Sequence, residues 1–486
     1  MKIFLNVYLM LICLTASSQT NFSKTWIIAP RGYNIAFTPS LDHDTIYSIG
    51  DCFFVKGNHS NISDSNGNLL FSCDGMDLFD KDFQIMDNGD SLTPSKIYEA
   101  FFGYGKSPQA SIILPMENKK YFVVTPTVSD IYYQNVWLNK PALNWNFDLL
   151  LYHVVDMNAN NGLGKVVEKK KTLLQNTPMK KSQMTACRHA NGKDWWLMKM
   201  AGDTNVVFTF LVKQDTIIRY PNQYIPFPFR GTNDIWGQMK FSKDGTKWAT
   251  TYDAADDITY KHHGDVYVAD FDRCTGILST FQNFIPPPYI DTGNLGLEFS
   301  PNGQFLYVSK YNGIQQLDIS AGTWYDVTGP DTNAFCGYTS LELSPDNKIY
   351  IGRFQGTCKQ MSVINSPDIK FNCDFCPNCL RSKSNWGYLS TPPNMPNYEL
   401  GASGQPCWPL SLSSPPKEGK DILEVYPNPA SAIFYIKTAY KGNRELYNSI
   451  GQLLRSTKGN KIDVSDLSKG IYYIRCGNSV KKVMVE

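Results

Sequence analysis

The sequence predicts an all-β protein: a β-propeller of seven blades followed by a small C-terminal immunoglobulin-like β-sandwich. Two observations carry this. A strand–turn–strand unit recurs along most of the chain, and from Asp421 onward the pattern changes to shorter strands behind a Pro- and Ser-rich break. The clearest unit is LEFSPNGQFLYVSKYNGIQQLD, Leu297 to Asp318. Apolar Leu297 and Phe299 flank Glu298. Pro301-Asn302-Gly303 then turns the chain, since Pro pre-sets φ and Asn and Gly tolerate positive φ. A second apolar run through Phe305, Tyr307 and Val308 ends in another turn at Tyr311-Asn312-Gly313, as in an antiparallel meander.

Leu341 to Arg353 (LELSPDNKIYIGR) and Met239 to Thr250 (MKFSKDGTKWAT) repeat this unit. Weaker echoes lie at Ser63–Gly75, Pro115–Val124 and His189–Met198. The turn centres Gly67, Asn118, Gly192, Gly245, Gly303 and Asn347 are about 51, 74, 53, 58 and 44 residues apart, near the one-blade period of propellers. The long interval holds Ser129 to Asn146, read as an insertion. One meander cannot bury both its faces, and radial repetition lets each blade pack on the next. A generic β-sandwich with several such turns is the alternative.

The chain has 486 residues, 42% of them hydrophobic, a size and composition that suit a large buried core. A formal charge of +2 without long charged runs gives no electrostatic case for nucleic acid or an anionic membrane. At the N-terminus, Lys2 precedes the apolar run Ile3 to Leu14 and the small residues Ala16-Ser17-Ser18. That order reads as a signal peptide, residues 1–18, cleaved before Gln19. Cys13 follows Ile12, where a lipobox needs a small side chain. No later segment reads as a transmembrane helix.

Ten cysteines lie from Cys52 to Cys407, an even number that suits a disulfide framework in an oxidising compartment. Cys373, Cys376 and Cys379 form C-x2-C-x2-C, with Cys407 further on. Four thiolates suit tetrahedral zinc, but export favours structural disulfides, so few or no free thiols are expected. Asp253, Asp256, Asp257, His262, His263 and Asp265 make a second metal-like group, whose spacing matches no EF-hand; a solvated loop explains it, and no metal is assigned. Nucleophile-elbow, P-loop, dinucleotide and HExxH motifs do not occur, so no catalytic residue and no cofactor is assigned.

The propeller is read over 19–408 and a polar linker over 409–420. Beyond it, strands are expected at Leu423–Tyr426, Ile433–Lys437, Arg444–Tyr447, Gln452–Arg455, Gly470–Cys476 and Val480–Val485. Val425-Tyr426-Pro427-Asn428-Pro429-Ala430, Leu446 to Leu453, Leu467 to Ile474 and Lys481-Lys482-Val483 together resemble the type A C-terminal sorting domain of the bacterial type IX secretion system, over 421–486. The resemblance implies export, contact with the secretion machinery, and release or attachment at the outer cell surface. Cys476 departs from the usual apolar residue and is a candidate to pair with another thiol. The region 21–407, through Ile62 to Phe71 and Asp74-Gly75, also resembles propeller modules of exported proteins, an architecture without one defined activity.

Two functions follow. One is a non-enzymatic binding or scaffold module for an extracellular glycan or protein. The other is a secreted polysaccharide hydrolase or lyase using acids such as Asp234, Asp253 or Asp291 at the channel. Innermost strands are read at Gln238–Ser242, Leu297–Ser300 and Leu341–Ser344, with a fourth at Met184–Arg188. Residues just before them face the channel mouth, which nominates Lys180, Lys181, Asp234, Trp236, Asn294 and Tyr338 as ligand-binding. On this reading Trp236→Ala and Tyr338→Ala weaken binding and leave the thermal midpoint alone. The competing reading packs both rings between blades.

Overall fold

The computed structural model describes residues 21–30, 33–36, 46–48, 59–101, 109, 111–139, 146–202, 204–227, 233–255, 262–287, 293–328, 337–353, 360–381, 389–404, 407, 423–438, 440–448, 453–476 and 479–486. The chain divides into two compact units, Met1–Cys407 and Trp408–Glu486. The segments read from sequence as a signal peptide, 1–18, and a linker, 409–420, lie outside the described residues.

The first unit is a succession of antiparallel sheets taken in chain order. They span 60–80, 112–174, 179–224, 239–284, 294–326 and 338–381, with a small sheet of Asn233–Trp236, Asp253–Ala255 and His262–His263 beside the fourth in sequence. A sheet made of Thr25–Pro30, Tyr33–Ala36 and Ile46–Ser48 takes its fourth strand, Leu389–Thr391, from the far end of the unit. That pairing of first and last strands closes the ring. First strands of neighbouring sheets lie side by side at the centre. This is the radial β-propeller architecture.

Burial explains why the strands read as they do. Between the 239–284 and 294–326 sheets, Ala249, Val266 and Val268 pack on Leu297, Phe299, Leu306 and Val308. On the other face of the 294–326 sheet, Phe305, Tyr307 and Ile314 pack on Leu341, Ile349 and Ile351. With both faces covered, Phe305–Lys310 and Gly313–Asp318 are buried at every residue, while the outermost strand Thr323–Asp326 is not. Near-continuous apolar runs are the expected signature of strands covered on both faces.

The three well-matched units carry one turn chemistry. Ser242, Ser300 and Ser344 bond through their hydroxyls to Asp244, Asn302 and Asp346. Their carbonyls accept from Gly245, Gly303 and Asn347 at 2.8, 2.9 and 3.0 Å. Those last three residues have φ of 70°, 71° and 61°, the left-handed region that Gly and Asn tolerate best. The Ser129–Asn146 stretch contains a short helix, Asp130–Asn135, whose first turn is capped by Ser129.

The second unit holds two sheets, one of Glu424–Tyr426, Ile433–Lys437 and Lys461–Asp463, the other of Arg444–Tyr447, Leu453–Thr457, Gly470–Cys476 and Ser479–Val485. Here burial alternates along Ile433–Lys437 and Gly470–Cys476, as it must where one face meets solvent. Val425, Phe434, Leu446, Ile462, Ile474 and Val483 form the core. Lys461–Asp463 is a strand the sequence reading missed. Cys476 is a buried free thiol in that core, so it packs as a small hydrophobe.

Candidate functional site

The centre of the propeller is held by polar side chains. Gln238 Oε1 accepts from the backbone N–H of Leu297 and of Leu341, each at 3.1 Å, and its Nε2 donates to Leu341 O at 2.8 Å. One amide thus ties three innermost strands together. Gln109 does the same elsewhere, accepting from Met184 N at 3.0 Å and donating to Met239 O and Asn394 Oδ1.

Beside Gln238, Lys240 reaches two carboxylates: Glu342, directly, and Glu298, at 3.4 Å. The three side chains are 4–5% exposed. Burial raises the Glu298 and Glu342 carboxyls, Glu342 to about 8. Burial also opposes the Lys240 charge, but its two carboxylate partners outweigh that and raise it. One ammonium cannot balance two carboxylates out of water, so the cluster keeps a proton at neutral pH. Glu298 also accepts from Phe299 N at 2.9 Å and Leu343 N at 3.1 Å. It is the better site for the negative charge, and Glu342 the better site for the proton.

These groups line a cavity of about 710 Å³ at the C-terminal ends of the innermost strands, where Phe241, Ser242, Leu343 and Ser344 also border it. The volume falls in the small-ligand range. Trp26 enters from the N-terminal strand and Arg188 from the end of Met179–Arg188. The irregular segment 395–401 crosses one side, held by Tyr398 Oη donating to Ile113 O at 2.8 Å and Asn397 Nδ2 to Lys243 O at 2.7 Å. The Arg188 guanidinium lies over the Trp195 ring at 3.8 Å, and Nη1 donates to Lys193 O at 3.1 Å. Burial lowers its pKa to about 10, which leaves it charged at neutral pH. Next to it, burial raises the Cys187 thiol to about 12, so it is inert there.

The residues nominated from sequence sit elsewhere. Innermost strands start earlier than expected, at Asn294 and Tyr338, so both are strand residues at the opposite end from the cavity. Asn294 Nδ2 bonds Thr251 Oγ1 at 2.9 Å and also Gly264 O, tying adjacent sheets. Tyr338 is 2% exposed, with the Arg353 guanidinium over its ring at 4.0 Å and Phe375 at its edge. Lys180 and Lys181 lie inside the strand Met179–Arg188, half-buried, and Lys180 O accepts from Lys199 Nζ at 2.6 Å. Asp234 and Trp236 fall on the strand Asn233–Trp236, paired with Ala254 and Asp253; their side chains, and that of Asp253, lie outside the described residues, as does Asp291. Tyr338→Ala is therefore expected to cost about 3 kcal/mol of stability, the scale for emptying a buried aromatic site. Denaturant titration checks this, and an unchanged midpoint would return Tyr338 to the surface.

Cysteine pairing also differs from expectation. Cys407 is bonded to Cys274, 133 residues away, with Cα atoms 5.2 Å apart. It therefore supplies no fourth ligand to the Cys373, Cys376 and Cys379 group, which are thiols, as are Cys73, Cys187 and Cys476. The expectation of few or no free thiols is corrected accordingly. Among the described residues no group of three or more His, Cys, Asp or Glu is placed to hold a metal.

Residues 424–486 match the secretion system C-terminal sorting domain. No curated protein matches the chain. Solved structures similar to it include PorZ, a surface component of the type IX secretion system of Porphyromonas gingivalis, at 10% identity over 96% of this chain and 74% of that one, TM-score 0.27. The β-propeller domain of Myceliophteria thermophila Cps50 aligns at 9% identity over 78% and 97%, TM-score 0.29. A β-1,3-galactosidase of glycoside hydrolase family 43 aligns at 8% identity over 51% and 86%, TM-score 0.29. The sorting domain marks the chain as secreted or attached to the cell surface, and it engages the secretion machinery. No helix of the described residues is long and apolar enough to cross a membrane.

Proposed function

We propose that this type IX-secreted propeller is a non-enzymatic binding module whose glycan or protein ligand enters the cavity beside Lys240 and Arg188. We read it as seven blades over 19–408, behind a signal peptide at 1–18 and before a linker at 409–420. The observation that carries the reading is the state of the buried carboxyls. A glycosidase needs two carboxyl groups facing each other across the scissile bond, one free to protonate and one to attack or activate water. Glu298 and Glu342 instead share one ammonium, and Glu298 is further tied to two backbone amides. A carboxylate committed in this way holds strands together, and those hydrogen bonds have to break before it can serve a substrate. The remaining lining mixes aromatic rings with hydroxyl, amide and cationic groups, as a polar-ligand site does. The test is a glycan and protein binding screen on the full chain with hydrolysis followed in parallel. Retention of a ligand without turnover is the expected result, and turnover of a glycan would replace this reading with the hydrolase or lyase one.

A further inference from the structure

We propose that Arg188 anchors a carboxylate subsite in this cavity, and that the ligand is a glycan bearing a uronate. This rests on the binding reading above and narrows it to a ligand class.

The first support is the state of the guanidinium. Arg188 is 8% exposed and lines the cavity. Its face is covered by Trp195 and its Nη1 is used by Lys193 O. Nε is buried without a hydrogen-bond partner. A buried donor without an acceptor is costly, and an oxyanion that reaches Nε from the cavity removes that cost with a charge-assisted hydrogen bond. Trp195 meanwhile fixes the plane of the fork, so little order is lost when a ligand docks.

The second support is the surrounding charge. Arg273 lies beside Arg188, donating from Nε to Arg188 O at 2.9 Å and from Nη2 to the His189 and Gly401 carbonyls. Among the described residues neither arginine has a carboxylate partner. The buried acids Glu298 and Glu342 are taken by Lys240, and Glu399 is exposed at the edge of the cavity. Lys24 and Lys243 add positive charge to the same lining. Outside the Lys240 cluster the lining thus carries three cations, Arg188, Lys24 and Lys243, against the one carboxylate of Glu399, which acts on Arg188 through space.

The third support points to a ligand that carries hydrogen-bond donors together with its oxyanion. Asn21 Oδ1 is a buried acceptor without a partner, and Asn21 lines the same cavity. Ser23 lies beside it. An orphan Nε donor and an orphan acceptor in one cavity call for a ligand presenting an oxyanion and hydrogen-bond donors together. A hexuronate has both on one ring.

The experiment titrates the full chain with oligogalacturonate and oligoglucuronate, with the same oligomers carboxyl-reduced to neutral sugars, and with peptides ending in a free carboxylate. Wild type is compared with Arg188→Gln and Arg188→Lys, and thermal midpoints are taken alongside. One acidic oligomer is expected to bind at least about tenfold tighter than its reduced form, the scale for an unmatched charged hydrogen bond. Both variants are expected to abolish that preference, so that the acidic oligomer and its reduced form bind alike. Should a variant fail to fold, the acidic-versus-reduced comparison on wild type decides alone. Equal affinity for the two forms, a preference that survives Arg188→Gln, or capture of peptides with no response to uronates overturns the proposal. Equal binding of acidic and neutral glycans leaves the binding module standing; binding of neither glycan nor protein removes both.

Discussion

Lys240→Met is expected to lower the stability of the propeller by about 3–5 kcal/mol near pH 8, the range for leaving a buried charge without its partner. The substitution keeps the apolar stem and removes the ammonium that Glu298 and Glu342 share. The loss depends on pH, with a definite sign. Glu342 is raised from an ordinary 4.5 to about 8 when folded, so between those values the folded chain binds more protons than the unfolded one. Its contribution is full below 4.5 and is lost as pH rises through 8. Lys240 is raised above its ordinary value of 10.5, so its contribution persists throughout that window. Without Lys240 both carboxyls depend on protonation alone, so the cost of the substitution grows from about pH 5 to about pH 9. Adding Glu298→Gln and Glu342→Gln to Lys240→Met should recover much of the loss. Denaturant midpoints across pH measure all of this, and a profile for Lys240→Met that matches wild type would mean the cluster is not buried as described.

Deleting 421–486 is expected to abolish arrival at the cell surface and in the medium and to leave the protein in the periplasm. The second unit has its own core, and the Cys274–Cys407 bond lies wholly upstream of the deletion. The truncated propeller should therefore fold and keep its thermal midpoint, which separates a sorting defect from misfolding. Normal surface or medium levels after the deletion would contradict the assignment of this domain.

Much of the architecture was legible because the turns are local chemistry. Ser242, Ser300 and Ser344 stand before Lys-Asp-Gly, Pro-Asn-Gly and Pro-Asp-Asn, and these few residues dictate the reversal without help from the rest of the fold. The starts of the innermost strands were not legible. Asn294 and Tyr338 look like loop residues, and it is pairing with Lys310 and Arg353 that draws them into sheets. The charged cluster did leave a signal. Lys240, Glu298 and Glu342 occupy the same register in MKF, LEF and LEL, so opposite charges recur at one position of the repeated unit. Radial repetition brings equivalent positions together at the axis, and a charge amid an apolar strand there needs a partner from another blade. The Cys274–Cys407 pair had no such local mark, since many pairings are open to a set of this size.

The central claim is that the cavity beside Lys240 and Arg188 binds its ligand and does no chemistry on it. Its most direct test is prolonged incubation of the full chain with the glycan it retains, with new chain ends followed by mass spectrometry. Intact ligand, with retention reduced in Arg188→Gln, is the predicted result. New chain ends that appear with wild type and vanish with Glu342→Gln or Asp234→Asn would contradict the claim and identify an enzyme.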